Sequence, residues 1–154
     1  MMKIYLAATF RNQDRMRKMR DKLFLRGHSV ISTWLNEQIK PEGMSEVQFG
    51  AKMAAKDLRE VQEADCLILD LADPSKTGGK LIEYGFALAH HKLLYVVLSG
   101  EPLTPGHIFL HMADCVFETW DDLLGCFDED HITDEDPKKY ITESEKVALN
   151  VVQK

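Results

Sequence analysis

Glu83 is the only charged side chain in Leu81–Ala89, an apolar run with helical spacing. It follows Thr77-Gly78-Gly79, and before that turn lies the strand-like run Cys66–Leu71. Open α/β sheets gather ligands at the C-terminal ends of their parallel strands, and a strand, a glycine turn and a helix put Glu83 at such an end. In the first helical turn the macrodipole favours an ionised carboxylate, which suits a nucleophile or an electrostatic stabiliser better than a general acid. Asp57 is the second unusual acid. Gly50, Ala54, Asp57 and Val61 recur at i, i+4, i+7 and i+11, so Asp57 falls on the small, apolar stripe of its helix, away from Lys52, Lys56 and Arg59. Such an acid either works in a site, caps a backbone group or pairs with an arginine. About eight helical residues, ~12 Å, separate Asp57 from the foot of the strand at Cys66, which rises ~17 Å; Asp57 therefore approaches the height of the sheet's upper edge.

Other side chains fall near the same edge. The turn Ala7-Ala8-Thr9-Phe10-Arg11-Asn12 follows the first strand, where small Ala7 and Ala8 admit a ligand closely. Arg11 is either a surface side chain or, with the helix N-terminus after it, a holder of an anion such as phosphate. Tyr5 points into the core or up toward the site. Thr77-Gly78-Gly79 offers backbone N–H groups and a hydroxyl to phosphate or sugar oxygens, or simply feeds the helix. Trp34 is core or a stacking surface for a planar base, and its long loop favours stacking. Asp70 and Asp73 could face the site. Neither G-x-G-x-x-G nor G-x-x-x-x-G-K-[ST] occurs, so no dinucleotide or P-loop site is expected and no cofactor is called for. His107 and His111 have i, i+4 spacing without a third ligand, which does not make a metal site.

Strands and helices alternate to position these groups. Strands are expected at Lys3–Ala8, His28–Ser32, Cys66–Leu71, Leu93–Leu98 and Asp114–Glu118. Helices are expected at Gln13–Arg26, Ser45–Glu63, Leu81–His91 and Asp121–Phe127, with a loop over Thr33–Gly43. That order predicts a five-stranded, doubly wound parallel sheet of the flavodoxin or Rossmann-like α/β class. One domain is expected over residues 1–127, and residues 128–154 read as a connector with a candidate docking helix at Thr142–Val152.

Composition narrows the function classes. The chain has 154 residues, 45% of them hydrophobic and 29% charged, with no apolar run long enough to cross a bilayer, so a cytoplasmic protein without a membrane partner is expected. A net charge of −6 disfavours a dedicated nucleic-acid binder. Cys66, Cys115 and Cys126 form no C-x-x-C pair and read as reduced thiols.

Several motifs together carry a resemblance. Tyr5-Leu6-Ala7-Ala8-Thr9-Phe10-Arg11, Gly27-His28-Ser29-Val30 with Trp34, Lys56-Asp57-Leu58 before Ala64-Asp65, and Thr77-Gly78-Gly79-Lys80-Leu81-Ile82-Glu83-Tyr84-Gly85-Phe86-Ala87 occur in the order and spacing of the nucleoside 2-deoxyribosyltransferase-like superfamily. Residues 3–127 resemble it. The resemblance implies cleavage of the N-glycosidic bond of nucleosides or nucleoside 5′-monophosphates, with Glu83 as nucleophile, Asp57 protonating or orienting the departing base, and Tyr5 contacting the sugar or positioning Glu83. It implies substrate contacts from Ala8, Phe10, Arg11, Trp34, Thr77, Gly78 and Gly79, and a homo-oligomer whose neighbouring subunit completes the pocket near His107–Met112. Many transferases of the superfamily carry aspartate six residues before the nucleophile, where this chain has Thr77; related nucleotide hydrolases have a serine-type hydroxyl there. With Arg11, that departure tilts the expectation toward a monophosphate and hydrolysis. A non-catalytic nucleotide-binding or sensing module, with Glu83 bonded to a ribose, stays open as the alternative.

Overall fold

A computed structural model describes residues 1–36, 38–73 and 78–128. Five strands, β1 (Lys3–Ala7), β2 (Ser29–Val30), β3 (Cys66–Asp70), β4 (Leu93–Val97) and β5 (Cys115–Phe117), form one parallel sheet in the order β2-β1-β3-β4-β5. In the central register Tyr5 lies opposite Leu67, and Leu67 opposite Leu94. Among the described residues four α-helices connect and cover the strands: α1 (Gln13–Leu25), α2 (Glu46–Glu63), α3 (Gly78–Ala89) and α4 (Trp120–Asp128). α2 packs on α3, and α1 on α4. The fold is the doubly wound α/β sheet that the alternating pattern predicts.

Every residue of β3 is buried, as a central parallel strand covered on both faces requires. Leu67, Ile68 and Leu69 each contribute about 1.5–3 kcal/mol on leaving water. α1 closes on Gly27, whose φ of +79° lets the Gly27 and His28 N–H groups return to Phe24 and Leu23 carbonyls. Ser45 and Gln48 cap α2 reciprocally, with Gln48 N–H donating to Ser45 Oγ at 3.2 Å and Ser45 N–H to Gln48 Oε1 at 3.0 Å.

Three local expectations change. The strand expected over His28–Ser32 is only Ser29–Val30, because the Ser32 hydroxyl takes the Leu6 N–H at 2.6 Å and Thr33–Leu35 then turns as a 3-10 helix. α3 begins at Gly78, so Gly78 and Gly79 belong to its first turn and not to a preceding loop. Gly50 and Ala54 are exposed while Val61 is fully buried; α2 therefore leaves the core midway, and Asp57 sits where it departs. Thr77 and the candidate helix Thr142–Val152 lie outside the described residues.

Candidate active site

Tyr5 comes from the middle of β1 and is fully buried; its hydroxyl donates to Glu83 Oε1 at 2.9 Å. Side chains alternate along a strand, so Tyr5 faces the α2–α3 layer while Ile4 and Leu6 face the other. Glu83 reaches down to it from the second turn of α3. Asp57 joins them from α2, half-buried, and among the described residues its Oδ1 is shut off from solvent without a hydrogen-bond partner. Three residues far apart in sequence thus share one cluster, and Glu60 of α2 adds a third carboxylate to its field.

The electrostatics correct one sequence expectation. Burial pushes the Glu83 carboxyl up to about 8, opposed by the Tyr5 hydrogen bond and reinforced by Asp57 and Glu60. Desolvation by the surrounding core decides the direction, and Glu83, in the second turn of α3 and not the first as expected, lies beyond the turn in which the helix dipole favours the ionised form. Asp57 is raised to about 6, first by burial and then by Glu60, with Lys56 opposing. The Tyr5 phenol is raised as well, by burial and then by Glu83 and Asp57, and so remains a donor. With Asp57 raised to about 6 and Glu83 to about 8, the pair of acids holds one proton between those values.

Around the cluster, Ala8 is half-buried and Phe10 is 66% exposed. Trp34 is 9% exposed, with its indole N–H donating to the Leu6 carbonyl at 2.8 Å and its ring 6.4 Å from Phe10. The Trp34 ring is mainly core and offers little face for stacking; Phe10 presents the open aromatic surface. Arg11 is exposed in the Phe10–Asn12 turn. Gly78 and Gly79 are exposed, with nothing within 4 Å of where a Cβ would stand. Asp70 does not face the site. It is fully buried and bonded to Arg15, Trp120 and the Ala72 N–H. His107 and His111 bond to Thr104, and among the described residues no three His, Cys, Asp or Glu side chains converge to hold a metal. No helix of the described residues is long and apolar enough to cross a membrane.

Two contributors escape the sequence reading. Lys80 is 4% exposed and its ammonium donates to the carbonyls of Asp70 at 3.0 Å and Ala72 at 3.3 Å, tying α3 to the end of β3; burial lowers its pKa. Thr9 reaches the same turn, donating to the Asp73 carbonyl at 3.2 Å. Glu60 was legible in principle, since it follows Asp57 by one helical turn.

No family model and no curated protein matches the chain. Solved structures do. A 2-deoxyribosyltransferase from the psychrotolerant bacterium Bacillus psychrosaccharolyticus is similar at a TM-score of 0.67 and 24% identity, over 79% of this chain and 90% of that one. The chain shares the fold of that enzyme. A Clostridium botulinum CMP N-glycosidase shares that fold at a TM-score of 0.55 and 21% identity, covering 82% and 97% of the two chains. A 2-deoxyribosyltransferase from Leishmania mexicana does so at 0.59 and 16%, covering 84% and 99%.

Proposed function

We infer that this chain is an enzyme that cleaves the N-glycosidic bond of deoxynucleosides or their 5′-monophosphates. The observation that carries the reading is the Tyr5–Glu83 hydrogen bond of 2.9 Å beside the Asp57 oxygen that has no partner among the described residues, three groups from three elements in a half-buried cluster. Proteins of the same fold are named for deoxyribosyl transfer and for CMP N-glycoside cleavage. The one proton of the pair passes from Glu83 to Asp57 as substrate binds; a Glu83 oxygen then attacks the anomeric carbon as the bond to the base nitrogen breaks, and the bonding pair leaves with the base, which takes the proton from Asp57. Tyr5 orients the attacking carboxylate and stabilises its charged form. In the second half, water attacks the anomeric carbon, gives its proton to Asp57 and frees Glu83, or a second base replaces the water.

Arg11, exposed at the end of β1, supports a 5′-monophosphate and hydrolysis. The superfamily pattern at Thr77 leans the same way. A second copy of the chain is part of the reading, because Ile108, Phe109 and Met112 are 63%, 64% and 57% exposed in the segment where a neighbour is expected. Sedimentation velocity tests that point: a monomer at micromolar concentration contradicts it.

The main experiment incubates the protein with deoxynucleosides and with deoxynucleoside 5′-monophosphates and follows free base by chromatography. Glu83→Ala should abolish release, and full activity in that variant would end the covalent mechanism. Arg11→Ala should weaken monophosphate use about tenfold more than nucleoside use, the loss expected of one charged hydrogen bond. Because the pair works with one proton, kcat/KM should rise through pH about 6 and fall through about 8 whichever carboxylate holds the proton in the free enzyme. A flat profile over that range would exclude the pair as the acting groups.

A further inference from the structure

Glu60 follows Asp57 on α2 by three residues, a spacing that puts their Cβ atoms about 5–6 Å apart. A free glutamate so placed would swing into water, away from the like charge. Glu60 is held instead: Oε2 accepts from the Thr33 N–H at 2.9 Å and Oε1 from the Thr33 hydroxyl. Thr33 opens the 3-10 turn that carries Trp34. Gln38, later in the same loop, accepts from Lys56 Nζ at 3.1 Å and donates to the Thr33 carbonyl at 2.7 Å. The loop is therefore fastened to α2 on both sides of Asp57, and one fastening leaves a fixed carboxylate next to the buried, unpartnered Asp57 Oδ1.

We propose that Glu60 is a positioning residue: pinned by Thr33, it holds a negative charge beside Asp57 and adds to burial in keeping one proton on the Asp57–Glu83 pair. The proposal rests on the N-glycoside reading for the work that this proton does. Asp57 is faced by Glu60 and Lys56 from its own helix, by Glu83 from α3 and by Tyr5 from β1. Lys56 is the cation in that set, and its ammonium is drawn toward Gln38. A fixed negative charge disfavours a second one nearby, and the direction agrees: Glu60 raises both Asp57 and Glu83, after burial in each case. The same two bonds hold the Trp34 turn against α2.

The test is Glu60→Gln, which removes the charge and keeps the fastening: the amide oxygen accepts from the Thr33 N–H and the amide nitrogen donates to the Thr33 hydroxyl. Both limbs of the kcat/KM profile for base release should move to lower pH by about half a unit, the size expected for one carboxylate charge at that spacing in a partly solvated site. An active Glu60→Gln variant with unmoved limbs would overturn the proposal. A second readout does not need turnover: the 13C carboxyl titration of Asp57 should also move down in the variant, and superimposable curves would equally overturn it. If the wild type releases no base while the Asp57 titration moves, the reaction has failed and the role of Glu60 stands. Should Glu60→Gln not fold, Thr33→Val frees one oxygen of Glu60 and should move the Asp57 titration the same way by less; no movement counts against the pinning.

Discussion

Asp70, fully buried, and the half-buried Asp57–Glu83 pair are acids treated in opposite ways. Asp70, at the end of β3, is 0% exposed; Oδ2 accepts from the Trp120 indole at 2.6 Å and meets Arg15 at 3.1 Å, while Oδ1 accepts from the Ala72 N–H at 2.7 Å. Glu83 accepts from the Tyr5 hydroxyl, Asp57 Oδ1 has no hydrogen-bond partner among the described residues, and the two acids repel each other. A buried carboxylate given three donors ties elements together, here α1, β3 and α4. One left short of donors holds its proton and stands ready to exchange it. The contrast separates a group that serves the fold from groups that the fold tolerates for chemistry.

Substitutions can break or sharpen that contrast. The largest effect is expected at Asp57→Asn, which should slow base release about 10²–10⁴-fold, the usual contribution of a general acid. Asp70→Asn should slow it less than about tenfold when assayed below its melting temperature. Equal losses would erase the distinction between the two sides of the sheet. Next, Asp70→Ala should lower stability by about 2–3 kcal/mol in urea denaturation, because the Trp120 and Ala72 donors are left buried and unpaired. A loss under about 0.5 kcal/mol would show that Asp70 is not a tie.

The smallest effect has the opposite sign. Glu83 holds its proton more tightly when folded than in its ordinary state, so its stabilising contribution is complete below the ordinary 4.5 and is lost as pH rises through about 8. Glu83→Gln carries no such charge. It should gain about 1–2 kcal/mol at pH 9 and nothing at pH 4, read from melting temperatures at the two pH values. A destabilised variant at pH 9 would mean that the ionised Glu83 is better satisfied than one hydrogen bond allows.

Much of the fold was legible because apolar periodicity reports burial directly. The runs at Lys3–Ala7, Cys66–Asp70 and Leu93–Val97 form the three central strands, and Gly27 marks the end of α1 through its positive φ. β2 was overestimated, since His28–Ser32 has strand composition while Ser32 leaves the ladder to bond Leu6 with its side chain. Glu83 and Asp57 stood out as charges on apolar faces. For Asp70 the sequence leaves the role open, because its position suits either a ligand or a tie, and its donors Arg15 and Trp120 come from 55 and 50 residues away.

The sequence by itself determined the parallel α/β architecture, the acids placed against the core and the basic turn after β1, because periodicity and residue type are local properties. Only the tertiary structure decided that the Tyr5 hydroxyl meets Glu83, that Trp34 turns its indole into the core, and that Glu60 is pinned beside Asp57. Those facts depend on donors brought together from separate elements and on the water removed between them. Water removal is also why Glu83 holds its proton to about pH 8.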